Sequence, residues 1–311
     1  VPVDPTFQTM LDGLGGVDAP DLADLTIDEA RQLSTGLGAL AGDVEHVDRV
    51  TDRTIPGPDG DVPVRVYRPA GDGSTPGILL WFHGGGWVLG DLDSTDPIAR
   101  RLANASGVMV VSVAYRLAPE HSFPAGLHDC WAALQWVAEH GAELGGDASR
   151  LAVSGDSAGG NLAAAVAIMA RDAGGPALRH QMLLYPITDC TMSSSSMDEN
   201  GRGYMLTRRT MQWFTDFYLG ADGDAKDPLA SPLHLDDLRG LAPATVLTAG
   251  YDPLRDEGQA YAEALGGAGV PTRTRHYDSM IHGFLSMGSV SPMANLALDD
   301  LATTMRSELA S

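Results

Sequence analysis

Residues 150–162 read Arg150-Leu-Ala-Val-Ser-Gly155-Asp156-Ser157-Ala158-Gly159-Gly-Asn-Leu162. Leu151 and Val153 belong to a short apolar run that stops at Gly155, and an Ala-rich helical pattern follows from Asn161. Between them, Gly155-Asp-Ser-Ala-Gly159 is a Gly-x-Ser-x-Gly turn. A strand that turns sharply into a helix leaves one strained residue at the apex with its side chain presented outward. Flanking glycines remove the Cβ atoms that would collide. Ser157 is therefore expected at a helix N-terminus, where free N–H groups and the helix dipole favour developing negative charge.

Ahead of this turn, Gly77–Phe82 and Gly107–Tyr115 are continuous apolar runs, as expected of parallel strands covered on both faces. Further strands are read at 150–155, 181–186, 244–250 and 272–278. Helices are read near 94–105, near 127–140, after Ser157, at 255–266 and near 292–309. Strands alternating with helices predict a doubly wound, mostly parallel sheet. Ahead of it, 46–56 and 61–69 flank Gly57-Pro-Asp-Gly60, a hairpin signal, which brings the sheet to eight strands.

Two regions stand outside this rhythm. Residues 5–16 and 26–40 read as short helices, the second opened by the capping box Thr26-Ile-Asp-Glu29. Thr191–Asp198 reads as a serine-rich loop, and 206–220 as a helix carrying Met211, Phe214, Phe217 and Tyr218 on one stripe. Such a stripe is more often core than ligand wall. An insertion between sheet strands can bury it only on the main domain or on the N-terminal helices. The division expected is cap helices at 1–45, a core at 46–189, a cap insertion at 190–235 and the rest of the core at 236–311.

Composition narrows the classes. The 311 residues carry a formal net charge of −21, which disfavours nucleic acid and anionic membrane surfaces as partners. No apolar run is long enough to span a bilayer. The chain does not open on a basic segment followed by an apolar stretch, so a cytoplasmic protein is expected, although a start at Val1 leaves a removed leader open. Cys130 and Cys190 lack Cys-x-x-Cys spacing and are expected as buried thiols, with no metal.

A serine hydroxyl becomes a useful nucleophile only beside a base, and the base needs a carboxylate to orient it. In doubly wound hydrolases these arrive in the order Ser, acid, His, each beyond the C-terminal end of a strand. Asp252 follows the strand 244–250, and His282 lies in the loop Ser279–Phe284 after the strand 272–278. Asp256 and Glu257 are expected to cap the helix that begins there. His276 lies inside a strand, and His83, His121, His128 and His140 precede Ser157. His83-Gly84-Gly85-Gly86-Trp87 follows the strand 77–82 and offers unhindered N–H groups. A phosphate loop is excluded because no Gly-Lys-Ser/Thr follows. With the Ala158 N–H, Gly85 and Gly86 would make an oxyanion hole, each donor typically worth about 10²–10³ in rate. Trp87, Tyr185, Met211 and Phe214 are the candidates for walling the substrate pocket.

His83–Trp87, Tyr115-Arg-Leu-Ala-Pro-Glu-His121, Gly155–Gly159, Asp252-Pro-Leu-Arg-Asp-Glu-Gly258 and His282-Gly-Phe284 together resemble the bacterial branch of the hormone-sensitive lipase family of α/β-hydrolases. The resemblance covers roughly residues 60–310, with Ser122 standing where the family commonly has proline. It implies an α/β-hydrolase fold with a helical cap and a carboxylesterase acting on small, short-acyl esters. It also implies Ser157, Asp252 and His282 as catalytic triad, Gly85, Gly86 and Ala158 as oxyanion donors, and no cofactor. An amidase or deacetylase with the same triad is the alternative, and a non-catalytic receptor is disfavoured by the presence of His282. A monomer or a homodimer is expected.

Overall fold

The computed structural model describes residues 1–71 and 74–310. In chain order it comprises α1 (Pro5–Leu14), α2 (Ile27–Leu37), β1 (Arg49–Gly57), β2 (Gly60–Arg68), β3 (Gly77–Phe82), α3 (Asp96–Ser106), β4 (Met109–Val113), α4 (Ala125–Leu144), β5 (Asp147–Asp156) and α5 (Ala158–Asp172). There follow β6 (Leu178–Leu184), α6 (Ser195–Glu199), α7 (Arg208–Leu219), β7 (Ala244–Tyr251), α8 (Arg255–Gly267), β8 (Thr272–Ile281) and α9 (Pro292–Glu308). The eight strands form one sheet in the order β1-β2-β4-β3-β5-β6-β7-β8. Only the β1–β2 and β2–β4 pairings are antiparallel; the other five are parallel.

The strand pleat sorts side chains between two cores. Ile78, Leu80, Phe82, Val111 and Val153 face the layer of α4, α5 and α8, while Leu79, Trp81, Val110 and Ala152 face α3 and α9. Each fully buried Val, Leu, Ile or Phe among them contributes roughly 1.5–3 kcal/mol. Helix α5 is buried along nearly its whole length, which suits its run of alanines. Both cysteines are free and buried. Among the described residues, no helix is long and apolar enough to cross a membrane.

The chain order within the sheet places the site. From β3 the chain crosses through α3 to β4 on one side, then returns through α4 to β5 on the other. Neighbouring loops therefore diverge at the C-terminal ends of β3 and β5, the place where open α/β sheets form a crevice. His83–Trp87 leaves one strand there and Ser157 the other.

Two appended regions lie over that crevice. In α1, Phe7 and Leu11 join the α3–α9 core, and the Asp4 N–H donates to the Ser279 carbonyl at 2.9 Å. Helix α2 opens with the Thr26–Glu29 capping box, and Arg31 donates to the Val88 and Ala118 carbonyls at 3.0 and 3.1 Å. The first turn of α7 meets residues 21–24, where Asp21 accepts from the hydroxyls of Thr207 and Thr210 and Arg209 pairs with Asp24 at 2.6 Å.

One stretch departs from its sequence reading. Thr191–Asp198 contains the start of α6 rather than loop alone. Serines are poor helix formers, but here tertiary partners decide: the Ser196 N–H donates to Asp256 Oδ2 and its hydroxyl to the Pro253 carbonyl.

Candidate active site

Ser157 sits between β5 and α5 with φ 56° and ψ −118°, a positive φ that a side-chain-bearing residue rarely adopts. A Cβ on Gly159 would run into the Phe82 carbonyl, and one on Gly155 into the Gly159 backbone. These glycines let the strand and helix close on each other tightly enough to hold the strained apex. The Ser157 N–H donates to the Leu184 carbonyl at 2.8 Å, which ties the turn to β6.

His282 directly follows β8, which runs three residues further than its sequence pattern suggests, to Ile281. Its Nε2 lies 2.9 Å from Ser157 Oγ, and its Nδ1 lies 2.8 Å from Asp252 Oδ2. The carboxylate can only accept, so Nδ1 carries the proton and Nε2 is free to accept from the serine hydroxyl. The other Asp252 oxygen accepts from the Leu254 N–H at 2.8 Å, and Asn200 donates to the Asp252 carbonyl at 3.1 Å. Asp252 is fully buried, and the chain of bonds runs from the interior to a cavity. The link to Ser157 is within the reach needed for a base to take a proton from a nucleophile, and the link to Asp252 within the reach needed to orient that base.

The cavity encloses about 230 Å³, with Gly84, Gly85, Gly86, Ser157 and His282 on its floor. Met211 and Phe214 of α7 line it, as do Leu22, Leu40, Met205 and Met287. Ala158 is the first residue of α5, so its N–H is one of the free donors of that helix. Among the described residues, none accepts a hydrogen bond from the N–H of Gly85, Gly86 or Ala158.

Two expected wall residues are corrected. Trp87 does not line the cavity: it is buried with φ 60°, and its indole stacks on Tyr218 at 3.9 Å between ring centres. At that point the wall is Gly86 facing Phe214, and a Cβ on Gly86 would enter the Phe214 ring. Tyr185 is fully buried behind the site, its ring 4.9 Å from that of His282, where it backs the imidazole.

Asp256 and Glu257 lie in the first turn of α8, where acidic side chains are favoured; Asp256 also accepts from Arg255 Nε at 2.7 Å, and both reach beyond the helix. Asp256 accepts from the Ser196 N–H, and Glu257 Oε1 from the N–H groups of Thr188 and Asp189 at 2.8 and 3.2 Å. Burial pushes the Glu257 carboxyl well above its ordinary range, against the pull of those two donors. These side chains pin the strand-end segment that leads into the insertion. His276 stays in β8, bonded to Thr248.

Sequence reasoning passes over several cavity residues. Leu22, Leu40 and Met205 come from the N-terminal segment and from the approach to α7, whose pairing is a tertiary event with no local signal. Asp156 reads in sequence only as a motif spacer, yet it accepts from the Gly84 N–H at 2.8 Å.

A family described as alpha/beta hydrolase fold matches residues 79–286. The chain is 44% identical to the carboxylic ester hydrolase LipN of Mycobacterium tuberculosis, over 99% of this chain and 83% of that one. It is 40% identical to the ethyl acetate hydrolase of Pseudomonas putida, over 88% of both. The chain belongs to the α/β-hydrolase family. A solved ester hydrolase from the Lake Arreo metagenome, 39% identical, superposes with a TM-score of 0.95 over 99% of this chain and 100% of that one. The resemblance to the hormone-sensitive lipase branch agrees with these α/β-hydrolase relatives.

Proposed function

We propose that this chain is a serine carboxylesterase hydrolysing small, short-acyl esters through an acyl-enzyme. The reaction class, carboxylic ester hydrolysis, follows from its family and its relatives. The finer reading rests on one observation, the Asp252–His282–Ser157 chain of hydrogen bonds at 2.8 and 2.9 Å on the floor of the cavity.

In this reading Ser157 Oγ attacks the ester carbonyl carbon while His282 Nε2 takes its proton. Asp252 holds the tautomer and steadies the imidazolium. The N–H groups of Gly85, Gly86 and Ala158 receive the oxyanion, aided by the N-terminal end of α5. The proton on His282 passes to the leaving alcohol, and water attacks the acyl-serine by the same route in reverse. Residues 1–45 and 190–235 act as a cap, with Phe214 and Met211 limiting the acyl or alcohol group. A cavity of about 230 Å³ suits a small ester, and a Pseudomonas putida relative of 40% identity is named for one, ethyl acetate.

The test is the initial rate on p-nitrophenyl esters from acetyl to palmitoyl, with wild type and Ser157→Ala side by side. Activity highest on short chains and lost in the variant is expected. A folded wild-type protein that cleaves none of these esters would remove the reading.

A further inference from the structure

Two buried polar groups beside the site have no part in that mechanism, and both hold the same peptide unit. The Gly84 N–H donates to Asp156 Oδ1 at 2.8 Å, while the Tyr115 hydroxyl donates to the His83 carbonyl at 2.7 Å. Those are the two ends of the peptide joining His83 to Gly84. The Tyr115 ring also stacks on the His83 ring, with centres 4.3 Å apart and planes 16° apart. Asp156 and Tyr115 are both buried.

A peptide held at its oxygen and its N–H cannot rotate about the chain axis. The next two residues, Gly85 and Gly86, have no side chain to anchor them and stand at φ 109° and 60°. At the far end of the turn the Gly85 carbonyl accepts from Val88 and Leu89 at 3.1 and 2.9 Å. The direction of the Gly85 and Gly86 N–H groups is thus set by the peptide before them and the turn after them. Asp156 is also the residue preceding Ser157. One carboxylate therefore links the backbone that carries the nucleophile to the loop that carries the donors.

Burial pushes the Asp156 carboxyl up to about 6, opposed by the Gly84 N–H and by His282. Ionised at neutral pH, it makes a charge-assisted bond, roughly twice as strong as a neutral one.

We infer that Asp156 and Tyr115 form a two-point clamp on the 83–84 peptide, positioning the Gly85 and Gly86 N–H groups against Ser157 Oγ for oxyanion stabilisation. The inference rests on the reading of those N–H groups as oxyanion donors. It makes Asp156 and Tyr115 positioning residues, acting on turnover rather than on substrate affinity.

The experiment is steady-state kinetics on p-nitrophenyl acetate for Asp156→Ala, Asp156→Asn, Tyr115→Phe and the Asp156→Ala/Tyr115→Phe double variant. Loss of donor alignment should lower kcat by about 30- to 100-fold in Asp156→Ala, with KM within about threefold of wild type. Asp156→Asn, whose side-chain oxygen accepts the same N–H, should recover kcat to within about fivefold of wild type. Tyr115→Phe should lose about 3- to 10-fold. The double variant should lose less than the product of the single losses, because both side chains act on one peptide. Wild-type kcat in Asp156→Ala, equal impairment in Asn and Ala, strictly multiplicative losses, or an effect confined to KM would each overturn the clamp. Should Asp156→Ala not fold, Tyr115→Phe removes one oxygen and keeps the ring, and wild-type kcat there overturns the clamp equally. Ser157→Ala in the same assay separates the two levels. Full turnover by that variant removes the underlying reading and the clamp together, whereas its loss beside an unimpaired Asp156→Ala removes the clamp alone.

Discussion

Beneath the cavity, Ser157 and the loop from His83 to Gly86 leave the ends of β5 and β3, where both strands are completely buried and the turn backbone is held by carbonyl and carboxylate partners. Above it, residues 21–24 meet α7 through Asp21 and two threonine hydroxyls, together with an Arg209–Asp24 pair whose side chains are 59% and 53% exposed. A pair that exposed is screened by solvent and adds little to stability. The floor is one strained turn set between buried strands, while the roof is two chain segments far apart in sequence that pack apolar side chains of α7 and the 22–27 stretch onto the core. In the proposed reading the chemistry, which depends on tenths of an ångström, sits on the floor. Met205, Met211 and Phe214, which would size the substrate in that reading, line the cavity from the roof.

This contrast can be broken from either side. On the floor, Asp252→Asn should lower kcat by roughly 10⁴-fold with the fold retained, since an amide in that place permits the wrong imidazole tautomer. A loss below about tenfold would mean that Asp252 does not orient His282. On the roof, Phe214→Ala should leave the preferred short ester turning over within about tenfold of wild type. It should also shift the butyrate-to-octanoate rate ratio by about tenfold towards the longer chain, because the ring it removes packs against Gly86 in the wall of the cavity. An unchanged ratio would place the acyl group elsewhere.

The smallest effect is on stability. The Asp156 carboxyl is raised by burial from 3.8 to about 6. The folded state therefore binds the proton more tightly than the unfolded chain, and stability falls as pH rises from about 4 to about 6, then levels off. His83, Tyr115, Tyr185 and His282 are the titratable groups around it. Asp156→Asn should be more stable than wild type above pH 6 by at most about 3 kcal/mol, with the difference gone near pH 4. Thermal melts at the two pH values check this, and a variant less stable at pH 8 would show that the charge is held favourably.

The same contrast governs what can be read from sequence. The strand Gly77–Phe82 is bounded where its pattern predicts, because a fully buried parallel strand leaves an uninterrupted apolar run. Ser157, Asp252 and His282 are brought together from three strand ends whose order along the chain follows from the fold. Trp87 and Tyr185 depart from their expected places for a different reason. Position beside a motif gives nearness, but the direction of a side chain depends on backbone torsions such as their φ of 60° and 36°. Asp156 and Tyr115 are visible as letters, but their bonds reach 72 and 32 residues along the chain. Helix α6 forms because Asp256 and Pro253 hold Ser196, against the serines' own preference.

The most direct test of Ser157 as nucleophile is to titrate the protein with diethyl p-nitrophenyl phosphate, whose stable adduct marks an activated serine, and to map the modification by peptide mass. One equivalent of p-nitrophenol should be released, with a single adduct on Ser157, esterase activity lost in proportion and no labelling of Ser157→Ala. Activity that survives with Ser157 unmodified, or equal labelling of the Ser157→Ala variant, would rule out Ser157 as the nucleophile.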